Sequence, residues 1–198
     1  MKAALFLLTF LLSSTCFAQQ TPAPAPQKST LKTQTAAELA AQVPAAKSGD
    51  VKSMDAILSA IYDVISGPAG DRDWNRFRSL FVPQARFSQV VKAADGTVTV
   101  SLFNVDEFIA AARDVFAKEP FYEKALVNRP QVFGQVAQVF SSYESRHSLK
   151  EKPFQRGINS IQLFNDGKRW WVLSILWDSE RPGNPLPAQF ASATDKKK

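Results

Sequence analysis

The pattern of apolar and polar positions is clearest near the end of the chain, where two apolar runs flank an Asn-Asp-Gly sequence at residues 165–167. The runs, residues 158–164 and 168–178, are rich in Ile, Leu, Val, Phe and Trp, and Asp-Gly between such runs is a strong hairpin signal. A two-residue turn would place Asn159 opposite Ser174 and sort the side chains onto two faces. Both faces are largely apolar, so we expect helices to cover one face and a second sheet, such as that of a second subunit, to cover the other.

The two predicted faces of this hairpin differ in their polar content. One face carries Ile161, Leu163, Trp170, Val172 and Leu176, together with Asn159 and Ser174. The other face carries Ile158, Phe164, Trp171, Leu173, Ile175 and Trp177. On a monomer the second set would expose a large apolar patch, and patches of this kind usually mark interfaces. The pattern predicts a homodimer through the outer sheet face, and it leaves open which face lines a pocket and which forms the interface.

Helices are predicted before the hairpin. Between residues 52 and 66 apolar residues recur at spacings of three and four, the pattern of an amphipathic helix. A second, shorter helix is predicted over residues 74–81. A third follows Asn104, a good N-cap with Glu107 in the capping-box position, and runs to about residue 118. Each helix needs a sheet on which to bury its apolar side.

Strands are predicted over residues 85–91, 97–103, 121–128 and 132–146. The length of the last of these implies a strongly bent sheet, and Gly134 is the expected place for a β-bulge. Helices therefore come mostly first and are followed by a long antiparallel sheet that curls around them. This order predicts an α+β fold.

Residues 1–18 combine an early lysine, a short apolar run and small residues that end at Ala18. This pattern predicts a secretory signal peptide cleaved after Ala18, and thus a protein exported to the periplasm or the extracellular space. The apolar run is shorter than the roughly 20 residues that span a membrane, so no membrane span is predicted. A lipoprotein would instead be acylated at Cys16, but the preceding Ser-Ser-Thr is a poor match to the usual lipoprotein box.

The rest of the chain divides by composition into a tether, one domain and a tail. Residues 19–51 are mostly Pro, Ala, Gln, Thr and Lys. They have too few large apolar side chains to offset chain entropy and are predicted to form a disordered tether. Residues 52–187 form one domain of ordinary size, and residues 188–198 form a disordered basic tail.

Charge, cysteine and histidine content argue against several kinds of site. The formal net charge is +6 with basic residues scattered along the chain, so no nucleic-acid partner is predicted. Cleavage would remove the only cysteine, Cys16, and with it any disulfide or thiol nucleophile. The single histidine, His147, makes a catalytic zinc site unexpected, because such sites usually take three protein ligands. No phosphate-binding or dinucleotide motif is present, and no metal or cofactor is predicted.

The runs ARFSQVV, FGQVAQVFSSYESR and DGKRWWVLSILWD follow one another in the order of elements described above. Over about residues 53–180, this arrangement resembles the nuclear transport factor 2-like superfamily, in its SnoaL-like branch, as a secreted bacterial-type member. The resemblance implies a cone in which three helices from the first half of the domain pack in a strongly bent antiparallel sheet. It also implies an apolar pocket at the open mouth of the cone and, often, a dimer through the outer sheet face.

The resemblance implies a catalytic set for each of three enzyme types in the superfamily, and each set lacks a member in this chain. For a ketosteroid isomerase, Tyr62 fits the oxyanion donor, but the base position falls near Gln89, which cannot accept a proton. A scytalone dehydratase pairs histidines with carboxylates, whereas this chain contains only His147. The Asp-Arg-Asp set of a limonene epoxide hydrolase occurs at residues 71–73, but within one turn, where capping explains it better.

The predicted ligand pocket takes its members from aromatic residues and from polar residues of the hairpin. These members are Tyr62, Trp74, Phe77, Tyr143, Asn159 and Ser174. Tyrosine and tryptophan can hydrogen-bond while burying apolar area, and small polar groups on an apolar wall can orient a ligand. His147 has two possible interpretations. It fits a residue that faces solvent at the end of a strand, and it also fits an acid or base that transfers protons.

Two functional hypotheses follow. The first is an exported non-catalytic module that binds a small apolar ligand or associates with itself or with a partner. The alternative is a small-molecule enzyme of cyclase, isomerase or hydrolase type that uses acid and base chemistry in the cone pocket. Its candidates for proton transfer are Tyr62, His147, Asp63 and Asp178.

Overall fold

The computed structural model describes residues 33–191. The predicted signal peptide, the first part of the predicted tether and the end of the basic tail lie outside this range. The described helices are α1 (Ala36–Ala40), α2 (Ser48–Val51), α3 (Met54–Ile65), α4 (Trp74–Ser79), α5 (Val105–Phe116) and α6 (Ala188–Ala191). The described strands are β1 (Phe81–Lys92), β2 (Val98–Phe103), β3 (Tyr122–Phe133), β4 (Val136–Arg146), β5 (Gln155–Asn165) and β6 (Trp170–Ser179).

The six strands form one sheet in the order β2-β1-β6-β5-β4-β3. Neighbouring strands are antiparallel except β1 and β6, which run parallel. The sheet curls around α3 and α5, which contact β3 and β1. We call the face toward these helices the inner face and the opposite face the outer face. The predicted α+β cone with a strongly bent sheet is confirmed, although one strand pair is parallel.

Helices α3 and α5 form where the sequence predicts them. In α3, Ile57, Ile61 and Ile65 recur on one side of the helix and are buried. The start of α5 is fixed by the predicted capping box. The Asn104 side chain accepts a hydrogen bond from the Glu107 N–H at 2.9 Å, and the Glu107 carboxylate accepts one from the Asn104 N–H at 2.7 Å.

Helix α4 is shorter than predicted, because the chain enters the sheet earlier. It ends at Ser79, and β1 already begins at Phe81. Phe81 pairs with Val172 of β6, and the Val172 N–H donates to the Leu80 carbonyl at 3.0 Å. Pro83 has no N–H for a ladder, and it lies where the pairing between β1 and β6 is interrupted.

The segment predicted as one strand over residues 132–146 contains the end of one strand and the whole of the next. β3 continues to Phe133, and β4 starts at Val136, which pairs with Phe133 across a tight turn. Gly134 lies in this turn with φ +55°, a conformation that glycine adopts readily and that hairpin turns require. The predicted bulge at Gly134 is therefore wrong, and the bulge of this hairpin lies at Leu126.

The hairpin of β5 and β6 forms as predicted, but its turn is longer. Asn165 pairs with Trp170, so the turn spans residues 166–169 instead of two residues. The Asp166 carboxylate accepts hydrogen bonds from the backbone N–H groups of the second and third residues after it, at 2.7 and 2.8 Å. This aspartate stabilises the longer turn through its own side chain, which is a common role of Asp in turns.

A β-bulge at Leu173 changes the register again. Leu163 pairs with Val172, whereas its neighbour Gln162 pairs with Ser174, so that Leu173 has no partner of its own in β5. An extra residue of this kind bends the strand and increases its twist. The bulge therefore contributes to the curvature of the sheet.

The bulge also reverses the direction of the side chains in the part of β6 that follows it. There, residues predicted for one face of the sheet lie on the other face. Asn159 lies opposite Trp177 and not opposite Ser174, which corrects the predicted pairing. Ile175 and Trp177 consequently lie on the inner face, and Ser174 lies on the outer face. The predicted apolar patch is divided between the two faces by this exchange, and one of its members, Trp171, is fully buried.

Packed structure extends beyond both predicted boundaries of the domain. Residues 33–51, which belong to the predicted tether, contain α1 and α2, and Val51 is buried in the core. Arg76 of α4 donates two hydrogen bonds to the Asp50 carboxylate of α2, at 2.7 and 3.0 Å. At the other end, α6 contacts β3 and β4 and buries Phe190. The folded domain therefore begins before residue 52 and includes part of the predicted tail.

Candidate functional site

An apolar cavity of about 410 Å³ lies between the inner face of the sheet and helices α3 and α5. Much of its wall is aromatic, and the rings pack against one another. Phe87 stacks on Phe108 with ring centroids 4.7 Å apart, and Phe116 stacks on Phe121 at 4.8 Å. Trp177 adds an indole from β6. Small-molecule sites typically have a volume and an apolar wall of this kind, with a few polar groups among the apolar ones.

Glu123 is the most distinctive polar residue of the cavity wall. It lies near the start of β3, opposite Ser145, and its backbone N–H donates to Ser66 Oγ at 2.9 Å. The Ser145 hydroxyl donates to Glu123 Oε2 at 2.7 Å. Burial raises the pKa of the Glu123 carboxyl to about 7, and within residues 33–191 no cation pairs with it to oppose this rise. Glu123 is thus a carboxyl group that titrates near neutral pH inside the cavity.

Tyr62 lies between α3 and the sheet and does not line the cavity, in contrast to the prediction. Its hydroxyl oxygen is 2.6 Å from Ser141 Oγ and accepts a hydrogen bond from Asn159 Nδ2 at 3.1 Å. Burial raises the pKa of Tyr62 above its ordinary value. Asn159 itself lines the cavity, and its Oδ1 makes no hydrogen bond within the described range. Tyr62 therefore positions the amide of Asn159 and has no direct access to a ligand.

Tyr143 lines the cavity from β4, and Gly157 on β5 provides the space for its ring. A Cβ atom on Gly157 would lie 2.6 Å from Tyr143 Oη and even closer to the Asp178 carbonyl oxygen. Tyr143 Oη is 3.3 Å from Ser179 Oγ on β6. Burial raises the pKa of Tyr143 to about 12, so its hydroxyl keeps its proton at neutral pH.

His147 lies at the mouth of the cavity, directly after the end of β4. Its ring stacks on Phe154 with centroids 4.2 Å apart. Its Nδ1 lies 3.2 Å from the Pro120 carbonyl oxygen and 3.9 Å from Glu119 Oε2. The side chain is 48% exposed, so His147 contacts solvent and borders the entrance at the same time.

Besides Tyr62, two more predicted pocket residues lie away from the cavity. Trp74 is buried, its Nε1 donates to Asp71 Oδ1, and its ring stacks on the far side of Phe116 at 6.2 Å. Ser174 lies on the outer face and donates to Gln162 Oε1 at 2.9 Å. The bulge at Leu173 explains the position of Ser174, because it reverses the faces of β6.

The predicted carboxylate candidates are also outside the cavity, whereas Phe77 lines it. Asp63 lies 2.6 Å from an Arg76 nitrogen, and the Asp178 carboxylate pairs with Arg181. Both carboxylates serve as partners of arginine at the surface of the domain. Neither carboxylate is part of the cavity wall.

The Asp-Arg-Asp sequence at residues 71–73 has turn and capping roles. Asp73 Oδ1 accepts a hydrogen bond from the Arg76 N–H at 2.9 Å and so caps α4. Arg72 donates to the carbonyl oxygens of Ile65 and Gly67 at 2.9 and 3.0 Å. This group is therefore no catalytic triad of an epoxide hydrolase.

Four polar residues that line the cavity were not predicted as pocket members from the sequence: Gln89, Glu119, Glu123 and Gln155. Gln89 stands at the position where the isomerase resemblance would require a base, so the cavity has an amide at that point. Within residues 33–191, no group of three or more His, Cys, Asp or Glu side chains is arranged to hold a metal ion. None of the helices in the same range has the length and apolar character to cross a membrane.

No family model and no curated protein matches this sequence, but solved structures do. A nuclear transport factor 2-like protein of unknown function from Silicibacter pomeroyi is 14% identical, with 65% of this chain and 94% of that chain covered and a TM-score of 0.45. A similar protein from Shewanella baltica is 17% identical, with 63% and 89% covered and a TM-score of 0.43. A protein of unknown function with a cystatin-like fold from Nostoc punctiforme is 9% identical, with 68% and 98% covered and a TM-score of 0.49. At these identities the likeness concerns the fold alone.

Proposed function

We propose that this nuclear transport factor 2-like domain binds a small, largely apolar molecule in the cavity between its sheet and its helices. The observation that carries the proposal is the aromatic wall of a cavity of about 410 Å³ interrupted by a few polar groups. Burial of apolar ligand area against such a wall supplies affinity, and the polar groups fix the orientation of the ligand. The polar groups available for this include the carboxyl of Glu123, the Asn159 amide oxygen and the side chains of Gln89 and Gln155.

A cavity-filling substitution tests this proposal. Ala112 on α5 lines the cavity, whereas Ala110 on the same helix is exposed outside it. We expect naphthylmethanol, an apolar probe with one hydroxyl, to bind the unmodified chain and the Ala110→Phe control in isothermal titration calorimetry. Ala112→Phe should abolish this binding while the domain stays folded by circular dichroism. Equal binding by both variants would place the probe elsewhere and contradict the proposal.

Acid and base catalysis in the same cavity is a second candidate function. It is favoured by Glu123, whose pKa of about 7 lets it accept and return a proton near neutral pH. Tyr143, which also lines the cavity, offers a hydroxyl that can donate a hydrogen bond to developing negative charge.

Proton abstraction can be measured without knowledge of the natural substrate. With acetonaphthone in deuterated water, a base in the cavity would remove a proton from the methyl group next to the carbonyl and return a deuteron. We expect the exchange rate, followed by nuclear magnetic resonance, to rise with pH through about 7 and to be lost in Glu123→Gln. Binding of the ketone without exchange above the buffer rate would leave the non-catalytic module as the function.

We also propose self-association through the outer sheet face. One row across this face contains Leu102, Leu176 and Phe140, with Ser88 and Ser160 between them. The three large apolar side chains of this row are 69%, 45% and 48% exposed. Exposed apolar surface of this extent favours a partner surface, and a second copy of the chain would supply an equivalent one.

Export remains a proposal that rests on residues 1–18, which lie outside the described range. We expect mass spectrometry of the protein from its native host to find a chain that begins at Gln19. A retained leader, or a lipid on Cys16, would contradict the proposed cleavage.

A further inference from the structure

When ionised, Glu123 brings a negative charge without a paired cation to the cavity. Its Oε2 is held by the Ser145 hydroxyl, and its Oε1 makes no hydrogen bond within residues 33–191. The nearest basic residues along the two strands are engaged with Glu144, which Lys124 approaches to 3.1 Å and Arg146 to 2.7 Å. A buried carboxylate without a cation is costly, and a cation that enters the cavity would remove this cost.

A second acceptor lies in the same row of the sheet. Glu123, Ser145 and Gln155 are cross-strand neighbours on β3, β4 and β5. The Gln155 amide nitrogen donates to Ser179 Oγ at 2.5 Å, which leaves its carbonyl oxygen without a hydrogen bond in the described part of the chain. Both Glu123 and Gln155 line the cavity. This part of the wall therefore presents acceptor oxygens that suit a ligand rich in donors.

The aromatic wall of the cavity also favours a ligand that carries a positive charge. Ring faces attract cations, and they do so most strongly when the cation is desolvated. Phe121 and Phe154 lie near the entrance to this row, and Trp177 lies further along β6. Such rings also bury the apolar part of a ligand, so one molecule can satisfy both features if it joins an apolar group to a positive charge.

We propose that the cavity selects a small hydrophobic amine in its protonated form, with the ammonium group at Glu123 Oε1 and the apolar part against the aromatic wall. This inference rests on the proposed ligand-binding function and names the class of ligand. The ammonium group donates to Glu123 Oε1 and to the Gln155 carbonyl oxygen. No bond is made or broken, and no metal or cofactor takes part.

The surroundings of Glu123 define how this binding depends on pH. Tyr62 and Tyr143 face it from α3 and β4 and stay neutral, because burial raises the pKa of each. Glu119 and His147 border the entrance, and the Lys124, Glu144 and Arg146 group lies along β3 and β4. A proton and the ammonium group compete for Glu123, so amine affinity should fall by about tenfold per pH unit below the pKa of Glu123.

Three matched probes with the same apolar group test the inference by isothermal titration calorimetry on the full chain. These are naphthylmethylamine, naphthylmethanol and naphthoate, which carry a positive charge, no charge and a negative charge. At pH 8 we expect the amine to bind at least about tenfold more tightly than the alcohol, since it gains a charged hydrogen bond, and the carboxylate to bind least. Between pH 8 and pH 5 the amine should lose affinity while the alcohol does not.

Glu123→Gln should remove the advantage of the amine over the alcohol and its pH dependence. Asp114→Asn is the matched control, because it removes an exposed carboxylate of α5 that does not line the cavity and should leave the advantage unchanged. An advantage that persists in Glu123→Gln, or that is lost in Asp114→Asn, would overturn the inference. Should the Glu123 variant fail to fold, the pH series on the unmodified chain keeps the inference testable, because an amine affinity that stays constant between pH 8 and pH 5 would overturn it.

The outcome also separates this inference from the function on which it rests. Equal binding of amine and alcohol, both lost in Ala112→Phe, would overturn the amine preference and leave a ligand-binding cavity. Failure of all three probes to bind would overturn both.

Discussion

Glu123 makes the stability of the domain depend on pH in the direction opposite to that of a salt-bridged carboxylate. Burial raises its pKa from 4.5 to about 7 in the folded state. As the pH rises above 4.5, the Glu123 carboxyl ionises in the unfolded chain, whereas it stays protonated in the folded domain. The free energy of unfolding therefore falls between these two pH values, by an amount on the order of 3 kcal/mol.

This dependence can be measured by urea unfolding at pH 5 and pH 8. At pH 5 the paired carboxylates such as Asp50 and Asp178, whose pKa values are lowered by their arginine partners, remain ionised and do not mask the effect. We expect the unmodified domain to be less stable at pH 8 than at pH 5, and Glu123→Gln to reduce this difference strongly. An unchanged difference in the variant would show that another group titrates in this range.

Gly157 is expected to be intolerant of a side chain. A Cβ atom there would collide with Tyr143 Oη and with the backbone of Asp178, and neither the strand nor the packed ring can move away freely. Gly157→Ala should lower the free energy of unfolding by roughly 1–3 kcal/mol, as overpacking does. Gly49→Ala is the control, since no atom lies within 4 Å of its Cβ position. It should leave the urea concentration at the midpoint of unfolding unchanged or raise it slightly.

Glu123 could have been found from the sequence by strict alternation. Phe121, Glu123 and Ala125 occupy alternate positions against Tyr122 and Lys124, which places the carboxylate on the apolar side of a strand. The amide of Asn159 was identified as a pocket group, but its partner was not. The contact with Tyr62 joins residues far apart in the chain, so no local pattern encodes it.

Among the elements, the short helices of the first half are held together by one arginine. Arg76 of α4 bonds to Asp50 of α2 and lies 2.6 Å from Asp63 of α3, and its side chain is only 18% exposed. We expect Arg76→Ala to destabilise the domain by roughly 2–3 kcal/mol, because it leaves the half-buried Asp50 carboxylate unpaired.

A surface arginine on the same helix provides the comparison. Arg78 pairs with Asp106, whose side chain is 75% exposed, and Arg78→Ala should cost less than about 1 kcal/mol. Chemical denaturation of the two variants measures the difference. Equal losses would mean that the Arg76 interactions with α2 and α3 contribute little.

The elements themselves were largely predictable because their signals are local. The capping box at Asn104 fixed the start of α5, and the Asp-Gly sequence located the last hairpin. The register between β5 and β6 was not predictable, because the composition of β6 does not show that Leu173 is an extra, unpaired residue. The β1 pairing with β6 and the early start of β1 at Phe81 likewise depend on contacts between distant segments.

At the scale of the whole molecule, the exposed apolar row on the outer sheet face leads us to expect self-association. Leu102→Glu and Leu176→Glu should each shift a dimer toward monomer in sedimentation velocity at micromolar concentration, because each introduces a charge into the exposed apolar row. Leu149→Glu is the control, since this leucine is 72% exposed in a loop outside the row. A monomer in the unmodified chain at this concentration would contradict self-association.

The overall architecture was the most predictable property, and the pocket the least. The order of helices and strands in the sequence already indicates the cone, and the structure confirms it. The position of each pocket side chain, by contrast, depends on strand register. Ser174 and Trp177 exchanged places between inner and outer faces for this reason alone.

The bulge at Leu173 has a consequence for how such a cavity can change during evolution. Since Leu173 has no partner in β5, its deletion would leave Val172 opposite Leu163 and Ser174 opposite Gln162, as they are now. Every residue that lines the cavity would keep its identity and its face, while the strand would lose its local bend. A single codon deletion could therefore alter the shape of the binding site without altering its chemistry.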